Sequence, residues 1–303
     1  MIYWPSYNQS LVRRGEILFA YDFLDAWDSE LARMNENKEG KKYRYPNSFI
    51  LVIGYIRVYL HLPYRQTEGI IKATGKNIPS HPSYGQICRR LSRLEIDSSS
   101  SSSSRIKEEE DNDYEDIVIA IDSTGIKVTN RGQWLRDKWN IRKKGYLKIH
   151  VAVNVKTKEI LSLEVTDEKV HDSKVMNKLV EHILKNNNNN MNINSVLADG
   201  SYDSNKNFKY LYEKNILPGI KIKKNSITST KNTNTRNKEV TSQQQHFDRW
   251  KKKRKYGYRW MAETAFSSLK RMFGEYTCAT KFQNMVKEMI LKVSLYNLFR
   301  KMT

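Results

Sequence analysis

Apolar residues recur along this chain at helical spacing in its first third and at strand spacing later. From Leu18 to Met34 they fall three and four apart, as on a helix that buries one face, and the polar stretch Asn35 to Lys42 ends the pattern. Asn47 is placed to cap a second helix through the apolar run Phe49 to Leu62. Pro63 can open a third, Tyr64 to Ala73, which Gly75 would close. Ser80-His81-Pro82-Ser83 opens a fourth, Tyr84 to Leu94, which carries Arg89, Arg90 and Arg93.

The pattern then stops. Ser98 to Ser104 is an unbroken serine run, followed by the acidic stretch Glu108 to Asp116. A segment with so little to bury is expected to be disordered and to mark a boundary. Beyond it the runs shorten. Ile117 to Ile121 reads as a fully buried strand, Tyr146 to Val153 as a half-buried one, and Glu159 to Val165 as its partner across a Lys156-Thr157-Lys158 turn. Asp172 can cap a helix, Ser173 to Leu184. Asn186 to Asn190 reads as a loop, Ser195 to Ala198 as a strand, Asn205 to Lys214 as a helix and Leu217 to Ile222 as the last strand. Residues 223 to 250 are polar and are expected to form a loop or insertion, before helices over Tyr258 to Phe273 and Met285 to Met302. The spacing thus predicts a helical region 1–95, a linker 96–115 and an α/β domain 116–303, the last a mixed sheet with helices packed on it.

Charge narrows the function. With 53 Lys and Arg against 33 Asp and Glu the net charge is +20, and a chain this basic repels itself unless it meets a polyanion. Nucleic acid is the leading candidate, because neutralising phosphates releases counterions; a merely basic or ribosomal-type surface is the plainer alternative. The two short helices around Gly75 and Pro79, the second rich in Arg, are helix-turn-helix-like, though a plain bundle with a basic face would read the same way. Cys88 and Cys278 have no CxxC spacing, which suggests neither a disulfide framework nor a zinc cluster and fits a reducing cytoplasm. The N-terminus lacks a signal-peptide core, and the most apolar run is too short to span a bilayer, so no membrane association is expected.

The candidate chemistry lies at the strand ends. Ile117 to Ile121 runs into Asp122, and Val196-Leu197-Ala198 runs into Asp199. In α/β sheets that edge is where ligands bind. Two converging carboxylates repel unless a cation joins them, and hard oxygens suit Mg²⁺ or Mn²⁺. Either Asp alone could simply start a turn. A third element accompanies them: Tyr256, Arg259, Glu263 and Lys270 form a Y-x2-R-x3-E-x6-K string. On a helix Arg259, Glu263 and Lys270 fall within about 40° of one another. Ala262, Phe266, Leu269 and Phe273 make an adjoining apolar stripe. An acid set among phosphate-binding cations suits metal-assisted phosphoryl transfer. An ordinary surface ion pair would account for Arg259 and Glu263 but not for the other residues.

The segments IDSTGIKV, ADGSYDS and YRWMAETAFSSLKRMFG resemble the three catalytic regions of the DDE transposases of prokaryotic insertion sequences, in the family four/family five class. SYNQSLVRRGEI, PYRQTEGII and SYGQICRRLSRL resemble the N-terminal part of the same family. The resemblance implies an RNase H-like catalytic domain, with Asp122 on the first strand, Asp199 after the fourth and Glu263 on a late helix. It implies that these three acids hold two Mg²⁺ or Mn²⁺ ions, about 3.5–4 Å apart in two-metal sites generally. Tyr256, Arg259 and Lys270 would contact the transposon end, and Asp203 would be structural. Arg89, Arg90 and Arg93 would read the terminal inverted repeat, and Lys251 to Lys255 would add backbone affinity. The partner is double-stranded DNA, at element ends and target, and acting on two ends implies a homodimer or higher. The alternatives are a related nuclease or resolvase, an inactive or domesticated transposase that only binds DNA, and a basic structural or RNA-binding protein. His150 and His171 are not expected to act as ligand or base. Trp134 and Trp139, amid Arg131, Arg136 and Arg142, could stack on a base or pack in a core.

Overall fold

The computed structural model describes residues 4–19, 21–74, 77–96, 115–128, 146–186, 191–228 and 235–302. In chain order its helices and strands are α1 (Trp4–Leu18), α2 (Trp27–Asn35), α3 (Asn47–Tyr59), α4 (Tyr64–Thr74), α5 (Tyr84–Arg93), β1 (Glu115–Val128), β2 (Tyr146–Asn154), β3 (Ile160–Asp167) and α6 (Met176–Asn186). They continue with β4 (Met191–Ala198), α7 (Asn205–Glu213), β5 (Leu217–Ile220), α8 (Thr235–Lys253), α9 (Trp260–Phe273), β6 (Tyr276–Thr277) and α10 (Phe282–Lys301). Gly75, nearly all of the serine and acidic linker, most of the asparagine run, and the basic stretch with Trp134 and Trp139 lie outside the described residues.

The chain forms two compact units, Met1–Asp97 with Thr277–Thr303, and Ser98–Tyr276. The first is helical. Its N-terminal pattern is not one helix over Leu18 to Met34: α1 ends at Leu18, a 3₁₀ turn spans Asp22–Leu24, and α2 follows. Phe23 and Trp27 pack on Phe49, with ring centroids 4.9 and 5.1 Å away. Asn47 does not cap α3. Glu30 does, its Oε1 accepting from the Asn47 and Ser48 amides at 2.8 and 3.1 Å, while the Asn47 side chain accepts from Arg90 Nη2 at 2.6 Å. Ser83 does begin α5, through a capping box with Gln86. The closing helix α10 belongs with these helices rather than with the α/β unit. Gly54 of α3 makes its approach possible, since a Cβ there would meet Leu291 and Leu91 at 2.9 Å. Glu288 of α10 is buried but compensated by Arg57 at 3.6 Å and Lys292 at 3.3 Å.

The second unit is α/β around a six-stranded mixed sheet. Its strand order is β3-β2-β1-β4-β5, with the short β6 on β1 off this path. β1 and β2 pair antiparallel, as do β2 and β3, whereas β4 runs parallel to β1 and β5 parallel to β4. This is the RNase H-like arrangement that the resemblance implies. Alternation sorts β1 into two faces. Ile117, Ile119 and Ile121 turn to a core shared with Met176, Leu179 and Val180 of α6 and Phe208 and Leu211 of α7. The apolar stripe of α9, with Ala262, Phe266, Leu269 and Phe273 buried, packs on β1 and β2.

Two further local expectations fail, in this unit. Asp172 is not a cap: a 3₁₀ turn covers Asp172–Lys174, and the His171 ring accepts from the Ser173 amide. Part of the polar stretch 223–250 is helix, α8, kinked at His246. Its buried polar side chains find partners, which is the condition for burying them. Gln243 donates to Ile220 O at 2.8 Å and accepts from Ile222 N at 3.1 Å, and Glu239 accepts from Trp250 Nε1 at 2.6 Å and pairs closely with Arg254.

Candidate active site

The strand register sets the two Asp side by side. β1 is longer than expected and continues to Val128 against β2, so Asp122 lies within the strand. The parallel pairing of β1 with β4, however, ends at Ile121 opposite Ala198. Asp122 and Asp199 are therefore the next residues on adjacent parallel strands. Beyond this point the β4 chain turns away in the 3₁₀ segment Gly200–Tyr202, which Asp199 caps by accepting from Ser201 N at 2.9 Å.

Glu263 reaches the same place from α9. Arg259 joins it to Asp122: Nη1 lies 3.2 Å from Asp122 Oδ2, and Nη2 makes a close ion pair with Glu263 Oε1. Asp122 is mostly buried and Glu263 half exposed. Burial pushes the Asp122 carboxyl above its ordinary range; the Ser123 amide and Arg259 oppose this, and the charges of Asp199 and Glu263 add to it. Burial works against the Arg259 charge, but Glu263, Tyr256 and Asp122 together hold the guanidinium above its usual value. The three acids thus converge on one electrostatic neighbourhood. They are not yet a ligand set: among the described residues no group of three or more His, Cys, Asp or Glu is gathered so as to hold a metal ion. Arg259 occupies the gap between two of the acids, and Asp199 is turned toward its own turn. The donor chemistry nonetheless fits a hard divalent cation, because the guanidinium already supplies positive charge between Asp122 and Glu263.

A cleft of about 550 Å³ opens beside Asp122, lined also by Glu263, Phe266, Ser267, Lys270 and Arg271. Lys270 shares it with Glu263, as their spacing of seven residues on α9 requires. Tyr256 and Arg259 stand in a 3₁₀ turn before α9, not in the helix itself. Tyr256 packs on Trp250, centroids 5.1 Å apart, and burial raises its hydroxyl to about 12, against the pull of Arg259.

In the helical unit Arg89 and Arg93 are exposed. Arg90 is engaged within its own unit, donating to Tyr45 O at 3.0 Å and to Asn47 Oδ1, and lying 4.5 Å from the centre of the Tyr43 ring. Asp203 is held by Arg236 at 2.6 Å, Ser226 at 3.0 Å and the Lys223 amide at 3.1 Å, which leaves it no free oxygen to turn toward the acids. Both cysteines are free.

Sequence reasoning missed the residues behind the site. Lys148 Nζ lies 2.6 Å from Asp172 Oδ1, and the fully buried His150 places Nδ1 3.4 Å from the same oxygen. Burial lowers the His150 imidazole to about 4, helped by Lys148 and opposed by Asp172. Because the folded value lies below the unfolded one, the unfolded chain takes up the proton first. Stability is then whole above about pH 6.5 and is lost as pH falls toward 4, by roughly 3 kcal/mol at most. Urea unfolding across that window should show the loss in the wild-type chain and not in His150→Gln.

The strand order and the helices on both faces place this chain in the RNase H-like class of α/β proteins. Residues 113–298 match the family described as Transposase DDE domain. Residues 12–131 match a second family of the same description. The first match covers well over half of the chain, and the chain belongs to the DDE transposase family, whose members process nucleic acid and generally use divalent metal ions. Among solved structures it is similar to the Drosophila P element transposase strand transfer complex, at 12% identity and a TM-score of 0.32 over 62% of this chain and 40% of that one. The chain spans less than half the length of that protein. Among the described residues no helix is long and apolar enough to cross a membrane.

Proposed function

We propose that this chain is an insertion-sequence transposase that cuts DNA at the element's ends and joins the freed ends to target DNA. The observation that carries the reading is the register at Ile121 and Ala198, which sets Asp122 beside Asp199 while Arg259 ties Asp122 to Glu263. Asp122, Asp199 and Glu263 would hold Mg²⁺ or Mn²⁺; the bound ions would supply Lewis-acid activation of the attacking oxygen and stabilise the leaving one. Arg259 neutralises two of the acids in the free chain and is free to turn to a phosphate once a cation replaces it. Lys270 and Arg271, on the wall of the same cleft, offer cations to the DNA backbone. Arg89 and Arg93 present charge for the terminal repeat, and Lys251 to Lys253 and Lys255 add exposed charge that reads no sequence. The partner is double-stranded DNA, and the working form is a dimer or higher.

The test uses DNA taken from either side of the gene. The wild-type chain should nick a duplex bearing the flanking inverted repeat in Mg²⁺ and not in EDTA. A chain that binds this duplex but never cuts it would be a DNA-binding protein without transposase activity. Lys270→Ala should weaken end binding about tenfold and lower the salt slope by about one. Filter binding between 50 and 200 mM salt would measure both, and an unchanged slope would remove Lys270 from the phosphate contacts.

A further inference from the structure

Asp122 and Ser123 leave β1 on opposite faces of the sheet. Asp122 meets Arg259 on the α9 side. Ser123 turns to the α6 and α7 side, opposite His150 in the β1–β2 register, so it lies beside the Asp172 carboxylate that His150 approaches and on the sheet face where Tyr202 is buried. Asp172 is anchored by Lys148 at 2.6 Å, and the buried His150 ring closes the group. Tyr202 ends the 3₁₀ turn that Asp199 caps. One reverse-face cluster therefore touches the residue after Asp122 and the turn after Asp199.

Packing alone does not call for the Tyr202 hydroxyl. The ring is wholly buried in an apolar cluster with Met176, Phe208 and Leu211, and a Phe would fill that space. The hydroxyl is buried and short of a well-formed hydrogen bond. A buried polar atom kept at such a cost needs a reason. Ser123 supplies one. Its amide donates to Asp122 Oδ1 at 2.8 Å, so whatever fixes Ser123 also fixes that carboxylate.

We propose that Ser123, Asp172 and Tyr202 are positioning residues, a clamp on the back of the sheet that sets the separation and orientation of Asp122 and Asp199. This rests on the reading of those acids as metal-holding groups. Outer partners of metal ligands commonly govern affinity by tenfold or more without touching the ion.

Mn²⁺ binding to the full chain, followed by the EPR signal of free Mn²⁺, tests the clamp alongside thermal unfolding. Tyr202→Phe and Ser123→Ala should each weaken Mn²⁺ binding about tenfold, with melting temperatures within about 3 °C of wild type. Ser123→Thr keeps the hydroxyl and should bind as wild type does. Two variants on different segments are used so that a folding defect in one leaves the other to decide. If Asp122→Asn loses binding while Tyr202→Phe and Ser123→Ala retain it, the clamp is overturned and the acid assignment stands. If Asp122→Asn and wild type titrate alike, the acid assignment falls and the clamp with it.

Discussion

Asp122→Asn should abolish Mg²⁺-dependent cleavage at the element ends while leaving DNA binding intact. The side chain keeps its shape, and Asn Oδ1 can still accept from the Ser123 amide. What disappears is the negative charge, at an acid that feels both of the others. An amide oxygen is a poorer ligand for a hard cation, and Arg259 would be left to pair with Glu263 alone. A loss on the order of a thousandfold, about 4 kcal/mol of barrier, is the expected scale. Binding should survive, because it draws on a net charge of +20 spread over the chain. A gel assay of nicking beside a mobility-shift assay separates the two effects, and wild-type strand transfer by the variant would refute the role of Asp122.

The second large effect is on stability. Asp203→Ala should cost about 3–5 kcal/mol, the range for breaking a buried ion pair from one side. Asp203 has no exposed side chain, and the largely buried Arg236 depends on it at 2.6 Å. The variant would leave that guanidinium without its counter-charge, together with a Ser226 hydroxyl and a Lys223 amide that now donate to the carboxylate. Burial works to raise the Asp203 carboxyl, but its hydrogen bonds with Arg236 and Lys223 hold it below its ordinary value. Its contribution is therefore present above about pH 4 and fades as pH falls through the lower folded value. Arg236 lies in the first turn of α8, so amide exchange in that helix should speed up along with the fall in urea midpoint. An unchanged midpoint would show that α8 does not depend on the pair.

What could be read from the residues depended on whether apolar side chains carried the information. Val196 to Ala198 is a buried run and Ile117 to Ile121 is buried except for the half-buried Val118, so their strands, and the acids after them, were legible. Ser83 with Gln86 is a local capping signal, and α5 begins where it says. α8 was missed because its buried face is half polar: Glu239 and Gln243 look like solvent residues until Trp250, Arg254 and Ile220 are beside them. Val240, Gln243, Phe247 and Trp250 do fall at helical spacing, a signal present but outweighed by the surrounding Asn, Thr and Lys. The association of α10 with α3 depends on close approach at Gly54, a contact between residues more than two hundred apart. Within the site, the Tyr-Arg-Glu-Lys spacing located α9 but not the direction of Arg259. An i, i+4 partner was visible in the string, whereas the reach across to Asp122 exists only once the helix lies on the sheet.

Iron-directed cleavage of the polypeptide itself is the most direct measurement. Fe²⁺ loaded in place of Mg²⁺, with ascorbate and peroxide, cuts backbone only close to the bound ion. Fragments ending near residues 122, 199 and 263, all suppressed together by excess Mg²⁺, are the expected result. Cuts near one of these positions and not the others, or cuts that Mg²⁺ leaves unchanged, would contradict a shared site.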